Sequence, residues 1–323
     1  MRASPRSVRW GVGVVVVAAI AAVVFSQRDA RPAIAAASDD VVALEPAARQ
    51  SLAPADPAAP IVAASVADAR ASVAMALELR DATDLRRFAL AAARHPESGG
   101  LTYARYVTEL CRSVRQARAR HGLAAGQSLV YQAPEDPARY ASRVAAAAAA
   151  ETACASFTDD ELTRARSSEL ARDAASRHDT LDAVIDQVRR LSPGVDGDAR
   201  RAAVEAVLAT DDPLVVSVAL ARAVALPSPG GRTFRIAGEP VHAEDLEAHE
   251  AALQAAACRL GSLCDARRPD VVETCLEPAE ECVPDRVALL RSQLAPFQRP
   301  YFDAVLPKLE AAIRARDAAY FLR

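Results

Sequence analysis

Residues 99–122 read GGLTYARYVTELCRSVRQARARHG. After Gly99-Gly100, the residues Tyr103, Tyr106, Val107, Leu110, Cys111 and Val114 recur at spacings of three and four, the signature of a helix with one apolar face. The last turn is rich in Arg and His, where positive charge complements the helix dipole, and Gly122 occupies the position after the helix that favours a left-handed backbone. One long helix is therefore predicted here, and the same signals repeat downstream. Asp136-Pro137 reads as an N-cap followed by Pro at the first helical position, ahead of the stripe Tyr140, Val144, Ala147, Ala150, Cys154. Thr158-Asp159-Asp160-Glu161 has the form of a capping box.

Leu181, Val184, Ile185, Val188 and Leu191 form a further stripe, stopped by Pro193-Gly194; Val204, Val207 and Leu208 follow. Asp212-Pro213 opens a helix through Leu214, Val218 and Val224. Residues 227–241, PSPGGRTFRIAGEPV, break the pattern, and Thr233 to Ile236 reads as a short strand or half of a hairpin. Helices resume at about 243–260, 270–277, 284–295 and 300–318. Alanine is abundant and glycine, at 12, is rare, which favours helix. The fold class is all-α: an irregular multi-helix bundle or a short helical solenoid of about ten helices. No clean fixed-period repeat supports the solenoid.

The N-terminus predicts export. Arg2, Arg6 and Arg9 lie in a basic segment, residues 1–9, ahead of an uncharged apolar run from Trp10 to Phe25. Sixteen helical residues cover about 24 Å, less than the roughly 30 Å of a bilayer core. That length suits a signal peptide, or a signal anchor over 10–27 helped by Trp10, Ser26 and Gln27. The small-x-small sites Ala33-Ile34-Ala35 and Ala35-Ala36-Ala37 lie beyond Arg28, Asp29 and Arg31, which favours the uncleaved anchor. No cysteine follows the apolar run closely, as a lipoprotein would require. The arginines stay in the cytoplasm and the rest of the chain passes outward, giving a periplasmic protein held N-in, C-out in the inner membrane. Residues 28–69, interrupted by Pro32, Pro46, Pro54, Pro57 and Pro60, are expected to form a flexible Ala/Pro-rich linker. Residues 70–323 form the periplasmic helical domain, long enough to bury about 70–75% of the unfolded surface.

Four of the six cysteines fall in CRLGSLCDARRPDVVETCLEPAEEC, residues 258–282. Their spacing contains no C-x2-C or C-x4-C pair, as a zinc site would bring, and no C-x-x-C, as a redox dithiol would. Disulfide staples fit best with export to an oxidising compartment. Cys111 and Cys154 each lie on the apolar stripe of consecutive helices and are expected to pair. In the C-terminal group Cys258 sits about 120° from Leu246 on its helix, at about 100° per residue, hence on the flank. Gly261 ends that helix, leaving Cys264 in a loop; Cys275 lies on a short helix ended by Pro278, and Cys282 in a second loop. Pairing helix with helix and loop with loop predicts Cys258–Cys275 and Cys264–Cys282, one of three connectivities open to four cysteines.

Ala257-Cys258-Arg259-Leu260-Gly261-Ser262-Leu263-Cys264, the two cysteines beyond it, and Gly99-Gly100-x-x-Tyr103-Ala104 with Cys111 seven residues on resemble a group of uncharacterised exported helical proteins of proteobacteria. The resemblance covers about a third of the chain; it implies an all-α, disulfide-bonded periplasmic protein and supplies neither an activity nor a catalytic residue.

No G-x-S-x-G elbow, Walker A or G-x-G-x-x-G motif is present, and no H-E-x-x-H surrounds His95, His121, His178, His242 or His249. His242 and His249, with Asp245 and Glu250, suggest a metal at first sight, but His249 lies beside the Leu246–Leu253 stripe and reads as a partly buried, satisfied histidine. Asp159-Asp160-Glu161 complements a helix dipole. Arg112, Arg115, Arg118 and Arg120 form the densest basic patch, able to hold an anionic envelope polymer or a lipid headgroup but read first as a solvated helix face. Tyr103 and Tyr106 are read as core before ligand platform. Lys308 is the only lysine among 39 basic residues, and the net charge of −3 argues against nucleic acid as a partner. No catalytic residue, cofactor or metal is assigned. The reading is a membrane-tethered or secreted binding or scaffold module whose partner is an envelope protein or a cell-wall component; the alternative is an envelope hydrolase with acid and base on separate helices.

Overall fold

The computed structural model describes residues 66–123, 129, 136–191, 197–228, 231–277 and 280–323. The expected signal or anchor, nearly all of the expected linker, Pro193-Gly194 and Pro278 lie outside the described residues. Thirteen helices make up most of the described residues: α1 (Val66–Asp81), α2 (Leu85–Ala92), α3 (Gly100–Arg120), α4 (Pro137–Cys154), α5 (Arg164–Ser176), α6 (Thr180–Arg189), α7 (Gly197–Ala209), α8 (residues 213–224, with a π-helical stretch Val216–Leu220), α9 (Leu246–Arg259), α10 (Pro269–Leu276), α11 (Arg286–Gln293), α12 (Arg299–Arg314) and α13 (Ala318–Leu322). The described residues form an all-α bundle. It has more helices than the ten or so expected, partly because the last predicted helix divides: Arg316 adopts φ 53° and Asp317 caps a new start at Tyr320 N.

Local chemistry sets the boundaries. Asp136 accepts from Ala138 N and Arg139 N at the start of α4, and Asp212 from Leu214 N and Val215 N at the start of α8. Thr158 and Glu161 form the predicted capping box, Thr158 N donating to Glu161 Oε2 at 2.9 Å. Gly122 closes α3 with φ 70°. The Gly99-Gly100 turn is required by crowding. Gly99 has φ 78°, and a Cβ on Gly100 would stand 1.8 Å from the carbonyl oxygen of Ala92. The N-terminus of α3 thus meets the end of α2 backbone to backbone.

Helix α3 packs against α2, α4, α5 and α10, and α9 packs along α12 and against α8 and α11. Buried Leu85, Leu101, Val107, Leu220, Leu253 and Leu306 belong to one continuous core. Ala251, Ala252, Ala255, Ala256 and Ala257 of α9 are all buried, so α12 approaches over small side chains. A satellite cluster of Ala146, Val271, Cys275, Val283 and Leu289 joins α4, α10 and α11.

Between α8 and α9 lie two antiparallel hairpins: β1 (Leu226–Ser228) with β2 (Gly231–Thr233), and β3 (Arg235–Ile236) with β4 (Glu239–Pro240). The stretch from Thr233 to Ile236 is therefore the link between hairpins. Phe234, at that joint, is buried against His249 with ring centroids 5.0 Å apart.

Three disulfides staple the domain. Cys111 is joined to Cys154, tying α3 to α4. The other two differ from the expected pairing: Cys258 bonds Cys264 and Cys275 bonds Cys282. Each loop closes on the helix that precedes it. Gly261, at φ 116°, turns the chain back so that Cys264 lies 5.4 Å from Cys258, Cα to Cα. Cys275 faces Ala146, Val271, Val283 and Leu289, whereas Cys258 lines a cavity with Phe302 of α12. The helix-to-helix pairing fails because these two cysteines look into different parts of the domain.

Arginine does much of the helix capping. The last carbonyls of a helix lack intrahelical partners, and here guanidinium groups from other elements supply them. Arg143 donates to Cys275 O and Leu276 O at 2.8 and 2.9 Å. Arg222 donates to Val188 O and Arg189 O at 3.2 and 2.7 Å, and Arg267 to Ala82 O and Arg80 O at 2.6 Å each. Arg200 reaches Ala223 O at 3.2 Å. A planar fork of several donors serves two adjacent carbonyls in a way that a single ammonium does not.

Candidate functional site

The second half of α3 and the C-terminal half of α4 run side by side and are joined by the Cys111–Cys154 bond. Between them lies a cavity of about 600 Å³. Its walls are mainly apolar, from Val114 and Ala119 of α3, Leu123 beyond it, Ala148 of α4 and Ala155. Its charged residues are paired. Arg118, nearly buried, meets Glu151 at 2.9 Å. Arg115 binds the Asp159 carboxylate and the carbonyl of Phe157.

The predicted basic patch is thus largely neutralised. Arg115 and Arg118 are engaged as described, and Arg120 pairs with Glu273 at 2.7 Å. Arg112 Nε is buried without a hydrogen-bond partner among the described residues. An anionic polymer would have to displace these carboxylates. The groove itself has no counterpart in sequence periodicity, because it depends on how far apart α3 and α4 stand at one end.

Both tyrosines are structural. Tyr103 is buried and donates to Asp212 Oδ2 at 2.8 Å; burial, with the Asp212 charge, drives its phenol well above the ordinary range. Tyr106 accepts from Arg268, whose guanidinium lies 6.0 Å over its ring. His242 is exposed and His249 is fully buried, so the two do not share a site. His249 faces Phe234 and Tyr301, with Tyr301 Oη 3.3 Å from Nδ1 and no hydrogen bond at Nε2 among the described residues. Among those residues no group of three His, Cys, Asp or Glu is placed to hold a metal.

A second cleft, of about 520 Å³, brings His121 together with Glu273, Glu277, Glu280 and Glu281. Among the described residues none of these carboxylates is hydrogen-bonded to His121, and Glu273 is engaged by Arg120. Glu161, bonded to Arg86 and to Thr158, is held down to about 2.

Two buried groups titrate in opposite senses. Burial raises Asp212 from 3.8 to about 6, so its contribution to stability is complete below pH 3.8 and is lost as pH rises through 6. Burial lowers His249 from 6.5 to about 4, so its contribution is complete above pH 6.5 and is lost as pH falls through 4. Each is worth ~3 kcal/mol, and between pH 4 and 6 they largely cancel. Asp212→Asn is expected to become acid-labile over that interval, and His249→Phe more stable in acid than at neutrality. Urea midpoints at pH 4, 5, 6 and 7 check both; parallel profiles for the two variants would contradict the assignment.

Fold and cavity together define an all-α, disulfide-stapled domain with an apolar groove between two covalently joined helices. No protein-family model, curated protein or solved structure matches the chain.

Proposed function

We propose that this is a binding module of the bacterial envelope, tethered to the inner membrane through residues 10–27, which holds an apolar segment of another envelope protein in the α3–α4 groove. The groove is the observation that carries the reading. Its volume lies within the usual range of roughly 300–1,000 Å³ for a ligand site. Its paired charges leave no excess of either sign to recruit a polyanion, and among the described lining residues no aromatic ring offers a sugar a face to stack on. Apolar side chains of a protein partner suit it better than a cell-wall glycan. The three disulfides support an oxidising compartment.

The test is a photo-crosslinking residue placed at exposed Ala119 in cells producing the full chain. Adducts are expected to map to an apolar segment of one protein. They are expected to fall at least tenfold when exposed Ala148 in the groove becomes Trp, and not when exposed Leu90, outside it, does. Adducts scattered over many proteins, or unchanged by Ala148→Trp, would sink the reading. The alternative, an envelope hydrolase, is favoured only by the meeting of His121 and four glutamates in the second cleft.

A further inference from the structure

The three disulfides are not equally placed. Cys111 and Cys154 are buried, as is Cys275, whose partner Cys282 packs into the satellite cluster. Cys258–Cys264 alone has both residues partly exposed, and both line an open cavity of about 560 Å³ beside Arg259 and Ser262. The Ser262 hydroxyl lies 3.2 Å from Cys264 Sγ. We infer that Cys258–Cys264 is a thiol–disulfide exchange site, open to a dithiol reductant while the chain stays folded.

The chemistry follows from that geometry. A thiolate of the dithiol attacks Cys258 Sγ and forms a mixed disulfide. The Cys258–Cys264 bond breaks, and its electron pair leaves on Cys264 Sγ, where the Ser262 hydroxyl donates to the new thiolate; a better stabilised leaving thiolate departs faster. The second thiolate of the dithiol then attacks its own sulfur in the mixed disulfide and expels Cys258 as thiolate. The protein gains two electrons and two protons, and the dithiol becomes a disulfide. Access of the thiolate decides the order of reaction among the three bonds, since exchange requires the nucleophile to reach a sulfur.

Breaking this bond does not release the segment. Arg286 N donates to Cys264 O at 2.7 Å, Asp265 bridges to Asp285, Leu263 is buried, and Arg267 holds Ala82 O and Arg80 O. The ring also spans a sequence separation of only 6, against 43 for Cys111–Cys154, so it constrains the unfolded chain least among the two. The dithiol therefore reduces the bond on an intact scaffold.

The folded full chain is treated with dithiothreitol in native buffer, quenched with an alkylating reagent at intervals and mapped by peptide mass. Cys258 and Cys264 are expected to label at least tenfold faster than the other four cysteines, with unchanged helical circular dichroism. Ser262→Ala is expected to slow that labelling about three- to tenfold while preserving its order. Earlier labelling of Cys275 and Cys282, simultaneous labelling of all six, or none before denaturant is added would overturn the inference; an unaltered rate in Ser262→Ala would overturn the role given to Ser262.

Discussion

Asp179→Ala is expected to lower the unfolding free energy by ~5 kcal/mol. Asp179 is buried, and its carboxylate caps two helices at once. It accepts from Asp182 N at 3.0 Å as the N-cap of α6, and from Leu101 N, Thr102 N and Thr102 Oγ1 at 2.9, 3.2 and 2.7 Å at the start of α3. Helix α3 needs this outside help because its own N-cap is Gly99, which has no side chain to offer. Alanine would leave three backbone N–H groups and a hydroxyl buried without their acceptor, and would remove negative charge from the positive ends of two helices. Asp179→Asn keeps one oxygen acceptor and is expected to recover roughly half of the loss. Chemical denaturation followed by circular dichroism measures both. A loss below ~2 kcal/mol in Asp179→Ala would mean that the double cap does not contribute as argued.

Arg143→Ala comes next, with an expected loss of ~4 kcal/mol. Its side chain is 1% exposed and closes α10 from α4 through Cys275 O and Leu276 O. Alanine would open a cavity and orphan two carbonyls beside the Cys275–Cys282 ring. Arg143→Met fills much of the volume without donors, so it is expected to cost about half as much, which separates packing from hydrogen bonding. Arg143→Lys is expected to lie near Met, because one ammonium on a flexible stem does not reproduce the two-carbonyl fork. The same denaturation series decides; equal stability of Met and wild type would show that the fork contributes nothing net.

These two residues mark where the sequence stopped being informative. The stripe from Tyr103 to Val114, the Asp136-Pro137 and Asp212-Pro213 starts and the Thr158–Glu161 box were legible because each is encoded within a few residues by periodicity or by capping chemistry. Cys111 and Cys154 were legible as partners because each sits on its own helix's buried stripe. Asp179 and Arg143 act across separations of about 77 and 132 residues. Asp179 stands two residues before Leu181, yet neither its local cap nor its second role was read from the sequence. The groove escaped for a related reason: Ala119 and Ala148 are unremarkable on their own helices, and only the spacing of α3 and α4 makes a cavity between them. The Cys258–Cys282 segment was misread because helix and loop membership was taken to choose partners. Proximity along the chain chose them instead, once Gly261 reversed its direction.

The order of the disulfides has a consequence for how the chain matures. Taken from the N-terminus, the first cysteine bonds the second, the third the fourth and the fifth the sixth. A chain that emerges N-terminus first meets each correct partner before the next competing thiol arrives. An oxidant that simply joins cysteines in order of appearance therefore produces the native set, and no enzyme that reshuffles mispaired bonds is needed to reach it.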